Sequence, residues 1–303
     1  EQRGLSVPAE RVLIVSGAQH GLAVTALALL QPGDVVAVDA LSYPGFKVLA
    51  QVLRLEMAPL PAGNEGPDLD AFEELCRTRP VRAIYTMPTL HNPLGWVTPA
   101  RCRERLVGIA RRHGVTIIED ASYAYLVEGP PVPLAVLAPE LTVYVSGLSK
   151  SVATGLRIGF VVPPAQFIGA FERAIRGTTW NTPPLVTAIA AGWLNDGTVT
   201  RLEADKRADA RHRQVVAREV LSGLDVVGNP SSYFLWLPLP GEARADQVAT
   251  DLLRETVSVS TAEPFAMTKN PPHAIRIALG SVEIDVLARS LETVKRVIDA
   301  HTW

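Results

Sequence analysis

Cysteine is scarce in this chain: Cys76 and Cys102 are the only two, each inside a predicted helix. No disulfide framework can be built on them, and they read as small buried hydrophobes of a reducing compartment. An excess of either charge is lacking too, with 29 Lys and Arg against 31 Asp and Glu and a net charge of -2. No global field therefore draws the chain to nucleic acid or to a membrane surface. Long apolar runs are absent; Leu22 to Leu30 and Tyr233 to Leu239 are too short to span a bilayer, and no signal peptide is visible. A cytoplasmic location is expected, with no membrane partner. The initiator Met is missing as well, and Glu1 to Leu5 reads as the tail of a helix ending at a Gly4 cap, as though something preceded it.

What is present is an ordinary globular composition, 303 residues with 48% hydrophobic and 20% charged. That is enough for one large domain and a smaller one. The chain is organised around Val143 to Phe160. An apolar β-branched run breaks at Gly147 and resumes at Ile158 to Val162, so two buried strands flank a polar loop carrying Ser149, Lys150 and Arg157. An ammonium there is costly to bury without a carboxylate. Lysine is also the side chain that forms Schiff bases with carbonyl cofactors, and Arg157 offers a fork of donors suited to phosphate. The stretch taken alone is either such a site or a solvated loop.

Along the chain, short apolar strands alternate with helices. Strands are expected at Arg11 to Val15, Val35 to Val38, Leu55 to Leu60, Val81 to Met87 and Val115 to Ile118. Ser16-Gly17-Ala18-Gln19, after the first, feeds a helix N-terminus and is either an anion seat or an ordinary turn; it is neither a Walker loop nor G-x-G-x-x-G. Tyr43, beyond the second strand, either stacks on a flat ring or plugs its loop. Asn92 sits in an Asn-Pro turn after the fourth. Glu119 and Asp120 follow the fifth, and burying Asp120 requires a cation or strong donor such as a protonated pyridine nitrogen. The arginines of the helix from Arg101 to His113 are expected on its solvated face.

Strand–helix alternation implies a parallel sheet, whose ligands sit at the carboxyl ends of the strands, so all these turns can converge on one crevice. Thr200 to Leu221 reads as a long solvated helix with i,i+4 pairs. Asp225 to Val227, Tyr233 to Leu237 and Ile275 to Ala278 read as strands of a smaller α+β domain. The expected division is 1–201 and 202–303. Within it, Arg276 faces solvent or an internal acid, or else clamps a substrate carboxylate.

Ser16-Gly17-Ala18-Gln19, Tyr43-Pro44, Asn92-Pro93-x-Gly95, Asp120-x-x-Tyr123, Ser149-Lys150 with Arg157-x-Gly159, and Arg276 together resemble the fold type I, class I/II aminotransferases that use pyridoxal 5'-phosphate. Gly177-Thr178-Thr179-Trp180 to Leu185, Trp193 to Gly197 and Leu235 to Pro240 look more narrowly like the aminotransferase-like domain of MocR-type regulators, in which an upstream GntR-type domain binds DNA.

The resemblance implies an α/β fold with a mostly parallel sheet, flanking helices and a smaller C-terminal α+β domain, and a homodimer. It implies that Lys150 carries the cofactor as a Schiff base and moves protons, and that Asp120 holds the pyridine nitrogen. Asn92 and Tyr123 would bond the ring's phenolic oxygen, and Tyr43 would stack on the ring. Arg157, Ser149 and the backbone of Gly17, Ala18 and Gln19 would hold the phosphate. Asn92 and Arg276 would bind the amino acid. One departure stands out: the family's phosphate-binding serine, three residues before the lysine, is Gly147 here, with Ser146 one earlier. Two functions remain open, an aminotransferase exchanging an amino group between an amino acid and a 2-oxo acid, and an effector domain that senses the cofactor or an amino acid.

Overall fold

The computed structural model describes residues 4–63 and 65–301. The helix tail expected at Glu1 to Arg3 lies outside the described residues. Seven strands form one sheet in the order β1 (Leu13–Val15), β7 (Gly159–Val162), β6 (Thr142–Gly147), β5 (Thr116–Asp120), β4 (Val81–Thr86), β2 (Val35–Asp39) and β3 (Glu56–Leu60). Helices connect most of them: α1 (Ala18–Leu29), α2 (Pro44–Val52), α3 (Leu69–Thr78), α4 (Ala100–His113) and the short α5 (Leu134–Leu137). Each parallel strand needs such a crossover to return to the same edge. The exception is β7, which runs antiparallel to both β6 and β1. Only an 11-residue loop with a single 3-10 turn, Thr154–Leu156, separates it from β6, too short for a crossover, so the chain must double back.

The strands are hydrophobic on both faces, as a sheet covered by helices on each side requires. Alternation sorts the side chains. Val36, Val38, Tyr85 and Ile118 face a core shared with α1, α2 and α6 (Ile168–Thr178). Val35, Ala37, Ile84 and Ile117 face a second core with α3 and α4. By the same parity Asp120 belongs to the first face and Glu119 to the second.

Beyond α7 (Pro184–Asn195), the 23-residue α8 (Thr198–Val220) leads to a three-stranded antiparallel sheet ordered β8 (Phe234–Pro238), β10 (Ala274–Ala278) and β9 (Ser260–Thr261). Helices α9 (Ala245–Arg254) and α10 (Ile284–Ala300) pack with α8 on this sheet around their own apolar cluster. The strand expected at Asp225 to Val227 does not form. Val227 makes a single bridge to Trp236, because Gly228 and the turn at Asn229 redirect the chain at once. Nor is α8 simply a solvated face. It keeps the i,i+4 pairs Arg201–Asp205 and Asp209–Arg213, but Gln214 is buried and donates to Ser232 O and Phe234 O.

Candidate active site

The carboxyl ends of β1, β2, β5 and β6 open on one edge of the sheet, and a cavity lies there, where ligands of such sheets bind. Ala18, Gln19, Tyr43, Asp120, Tyr123, Ser149, Lys150 and Arg157 line it. Eight of the sequence-predicted positions thus come together. Gly17 and Asn92 are not among its lining residues. Arg276 lines a second, adjoining cavity that shares Tyr123, Ser149 and Lys150 with the first.

Lys150 leaves β6 on the loop to β7. Its carbonyl accepts from Tyr125 Oη at 2.7 Å and Lys206 Nζ at 3.0 Å, which ties the loop to the helix α8. Its Nζ lies 5.8 Å from the centre of the Tyr123 ring. Among the described residues no carboxylate lies within 4.0 Å of it.

Asp120 is buried, and each of its oxygens is held. Ser122 N and Oγ donate to Oδ1 at 3.0 and 2.6 Å, and Tyr85 Oη donates to Oδ2 at 2.9 Å. Burial raises its pKa above the usual range, while Ser122, Tyr85 and the Lys150 cation pull it back down. No cation among the described residues pairs with it directly. Tyr85 is itself fixed by stacking on Phe46 at 3.9 Å. Tyr85 and Ser122 were missed in the sequence; both are recoverable from position, Tyr85 by strand parity and Ser122 as the hydroxyl two residues past the acid.

The N-terminus of α1 is capped by Gly17 at φ 90°. A Cβ there would sit 2.9 Å from Arg157 Nη2, so the glycine lets the guanidinium lie against the turn. Arg157 adopts a left-handed φ of 50°, a strain of about 1–3 kcal/mol of the kind that clusters at functional sites, and its Nη2 donates to Ser16 O at 3.3 Å. The unpartnered N–H groups of the helix's first turn face the same way as its dipole, favouring an anion.

The departure at Gly147 has a steric cause. A Cβ at Gly147 would lie 2.9 Å from Ile158 O, and one at Gly159 would lie 2.6 Å from the Gly17 carbonyl carbon. The loop after β1 is pressed against β7, and no serine fits. Ser146 points elsewhere, its Oγ 3.5 Å from Ala121 O. Ser149 Oγ, by contrast, is buried, lines the cavity and has no partner.

Asn92 is buried with Oδ1 unpartnered. Its neighbour His91 is fully buried, stacks on Trp96 at 4.0 Å and brings Nε2 to 3.3 Å from Asp39 Oδ2. Arg276 stands on β10 with its guanidinium 4.4 Å above the Phe234 ring and 5.7 Å from Phe265. Its Nε is buried without a partner, and no carboxylate of the described residues pairs with it. Burial pushes its pKa down, and Tyr123 beside it opposes the shift. No internal acid among the described residues neutralises this cation, which suits it to a carboxylate from outside.

The helix α4 overturns one expectation. Arg103 is fully buried, although Arg101, Arg105, Arg111 and Arg112 do face solvent. The spacing carried the signal, since Arg103, Leu106, Val107 and Ala110 share one stripe at i, i+3, i+4 and i+7.

A family described as aminotransferase class I and II matches residues 1–293. The chain belongs to this family. Among its relatives, the uncharacterized HTH-type transcriptional regulator YdeF of Bacillus subtilis is 28% identical over 305 residues, covering all of this chain and 66% of the regulator. The 2-aminoadipate transaminase of Thermus thermophilus is 28% identical, over 97% of this chain and 77% of that enzyme. The regulator YjiR of Escherichia coli is 25% identical, over 90% of this chain and 60% of its own. The chain therefore spans under two thirds of these two regulators. Among solved structures, the α-aminoadipate aminotransferase LysN of Thermus thermophilus, complexed with N-(5'-phosphopyridoxyl)-L-leucine, superposes with a TM-score of 0.90 at 25% identity, covering 97% of this chain and 78% of LysN.

Proposed function

We propose that this chain binds pyridoxal 5'-phosphate and uses it to exchange an amino group between an amino acid and a 2-oxo acid. One observation carries the reading: a single cavity presents a lysine amine, a buried carboxylate with no direct cation partner, and an arginine, an unpartnered serine hydroxyl and a helix N-terminus in one cradle. The donor set fits the cofactor part by part. Arg157, Ser149 Oγ and the N–H groups of Ala18 and Gln19 would hold a phosphate dianion, with Gly17 giving the backbone room to approach. Asp120 would meet a pyridine N–H, the partner its burial demands. Asn92 and Tyr123 would bond the ring oxygen, and Tyr43 would cover the ring face.

Pyridoxal phosphate, when bound, supplies an aldehyde that links to amines and a ring that draws electrons from the substrate Cα. Lys150 Nζ provides the amine for that link and, when free, is the base that holds the proton taken from Cα. Arg276 orients the amino acid by its carboxylate. The site would then lie between a larger unit, 1–201, and a smaller one, 202–303, with α8 as the bridge.

A second copy would complete the assembly. Trp180, Leu185, Ile189 and Leu194 are apolar yet 72%, 73%, 38% and 39% exposed along the segment leading into and along α7, a face whose burial favours a homodimer. The reading also keeps the chain in the cytoplasm, consistent with two free cysteines.

A second reading is favoured by the matches to HTH-type regulators: the same site would sense the cofactor or an amino acid for a DNA-binding domain elsewhere in a longer protein. One titration separates the two. Adding pyridoxal phosphate should produce a visible absorbance that Lys150→Ala abolishes. Amino acids should then convert it to the aminated cofactor and a 2-oxo acid should restore it; a band that shifts with amino acid but never converts would leave only the sensor.

A further inference from the structure

One buried side chain near the site, Arg103, is not used by the reading above, and it makes five hydrogen bonds. Arg103 has five N–H donors, and each is spent. Nε donates to Thr98 O at 2.8 Å, and Nη2 donates to Pro88 O and Thr89 Oγ1 at 2.8 and 2.7 Å. Nη1 donates to Pro131 O and Val132 O at 3.3 and 3.2 Å. The first three acceptors sit at the two mouths of the loop 88–98. That loop is also closed by Thr98 N donating to Pro88 O and by the Thr89–Val97 bridge. Asn92 stands at its tip.

Behind the guanidinium lies Glu119, its Oε1 4.0 Å from Nη1 and its Oε2 accepting from Ala135 N at 2.9 Å. Glu119 is the residue before Asp120 and faces the opposite side of the same strand, β5. One buried cation therefore connects the loop bearing Asn92 to the strand bearing Asp120. Nothing else about Arg103 requires this: a leucine would fill the helix stripe, whereas a guanidinium must be desolvated to sit there.

We propose that Arg103 is a positioning residue of the active site, setting the Asn92 loop against β5 so that Asn92 and Asp120 address the same cofactor ring at a fixed separation. The inference rests on the reading of Asn92 as a ligand of that ring. A lysine could keep the charge but not the fork, so it cannot hold both mouths of the loop at once.

The test uses the chain loaded with pyridoxal phosphate. It measures the pH midpoint of the bound cofactor's visible absorbance and the cofactor dissociation constant, neither of which depends on turnover. The variants are Asn92→Ala, Arg103→Lys, Thr89→Val and the double variant Asn92→Ala/Arg103→Lys. Asn92→Ala should move the midpoint. Arg103→Lys should move it in the same direction and weaken cofactor binding about tenfold, the scale seen when a group that orients a ligand is removed. Thr89→Val, which removes one of the five bonds, should give a smaller shift of the same sign. In the double variant Arg103→Lys should add nothing to the Asn92→Ala midpoint, because a group acting through another has no effect once that other is gone.

A midpoint unchanged by both Arg103→Lys and Thr89→Val, or a full additional shift in the double variant, overturns the proposal even if melting temperatures fall. Should Arg103→Lys lack a cooperative melt, Thr89→Val with and without Asn92→Ala decides by the same comparison. If Asn92→Ala itself leaves the midpoint in place, the ring reading of Asn92 falls and takes this inference with it.

Discussion

Two adjacent carboxylates on one strand show how far a single residue's environment sets its chemistry. Asp120 faces the cavity and is solvated by hydroxyls. Glu119 faces the core, where burial pushes its pKa from 4.5 to about 7 against the pull of Ala135 N–H and Arg103. The folded state thus holds this proton more tightly than the unfolded chain does. Its stabilising effect is complete below pH 4.5 and is lost as pH rises toward 7, by about 3 kcal/mol over that window. Glu119→Gln should remove this slope. Urea unfolding of both proteins at several pH values between 4.5 and 7.5 checks it, and parallel stability curves would show that Glu119 does not titrate there. At this scale the sequence was informative where chemistry is dictated by residue type and strand ends: Lys150, Asp120 and Arg157 could be picked out before any fold. Arg103 was not, because a stretch rich in arginine looks solvated unless each one is placed on the helical wheel. Tyr85 was hidden for a related reason, since a tyrosine inside an apolar strand has the same signature whether or not its hydroxyl has work.

Among the elements, the approach of the β1–α1 turn to β7 is the most constrained. It depends on facing glycines, Gly17 on one side and Gly147 and Gly159 on the other. Gly159→Ala would place a methyl 2.6 Å from the Gly17 carbonyl carbon and 2.8 Å from Ala18 N. Backbone cannot swing aside as a side-chain tip can, so a loss of about 1–3 kcal/mol is expected, together with weaker binding of pyridoxal phosphate. Calorimetry with and without the cofactor measures both; a variant of native stability and affinity would mean that the turn has slack. Strands and helices here were legible from period alone because they are buried on known faces. The pairing direction of β7 and the single bridge at Val227 were not, because both are decided by loop length and by glycine, below the resolution of a hydrophobic pattern.

For the molecule as a whole, the exposed apolar face from Trp180 through α7 is the feature without an internal explanation. Leu185→Asp places a charge at its most exposed aliphatic residue. Sedimentation velocity should show a dimer for the wild type and a shift toward monomer for this variant, while a monomeric wild type would remove the dimer from the reading. The relation between the two sheets also matters at this scale. Lys150 follows a strand of the first and Arg276 stands in the second, so an amino acid that touches both must lie in the cavity they share. The helix α8 bonds to both sides, through Lys206 and Arg207 to Lys150 O and Tyr125 O and through Gln214 to Phe234 O of β8.

The antiparallel return of β7 gives the site a caliper. Lys150 and Arg157, the grips proposed for the two ends of one cofactor, are jaws on a single loop whose feet are pinned in adjacent strands. The opening between them is therefore a length written into the chain, seven residues from jaw to jaw. Loops after the other parallel strands lead into helices. This one returns directly into β7, so an inserted residue would change the span between the two jaws.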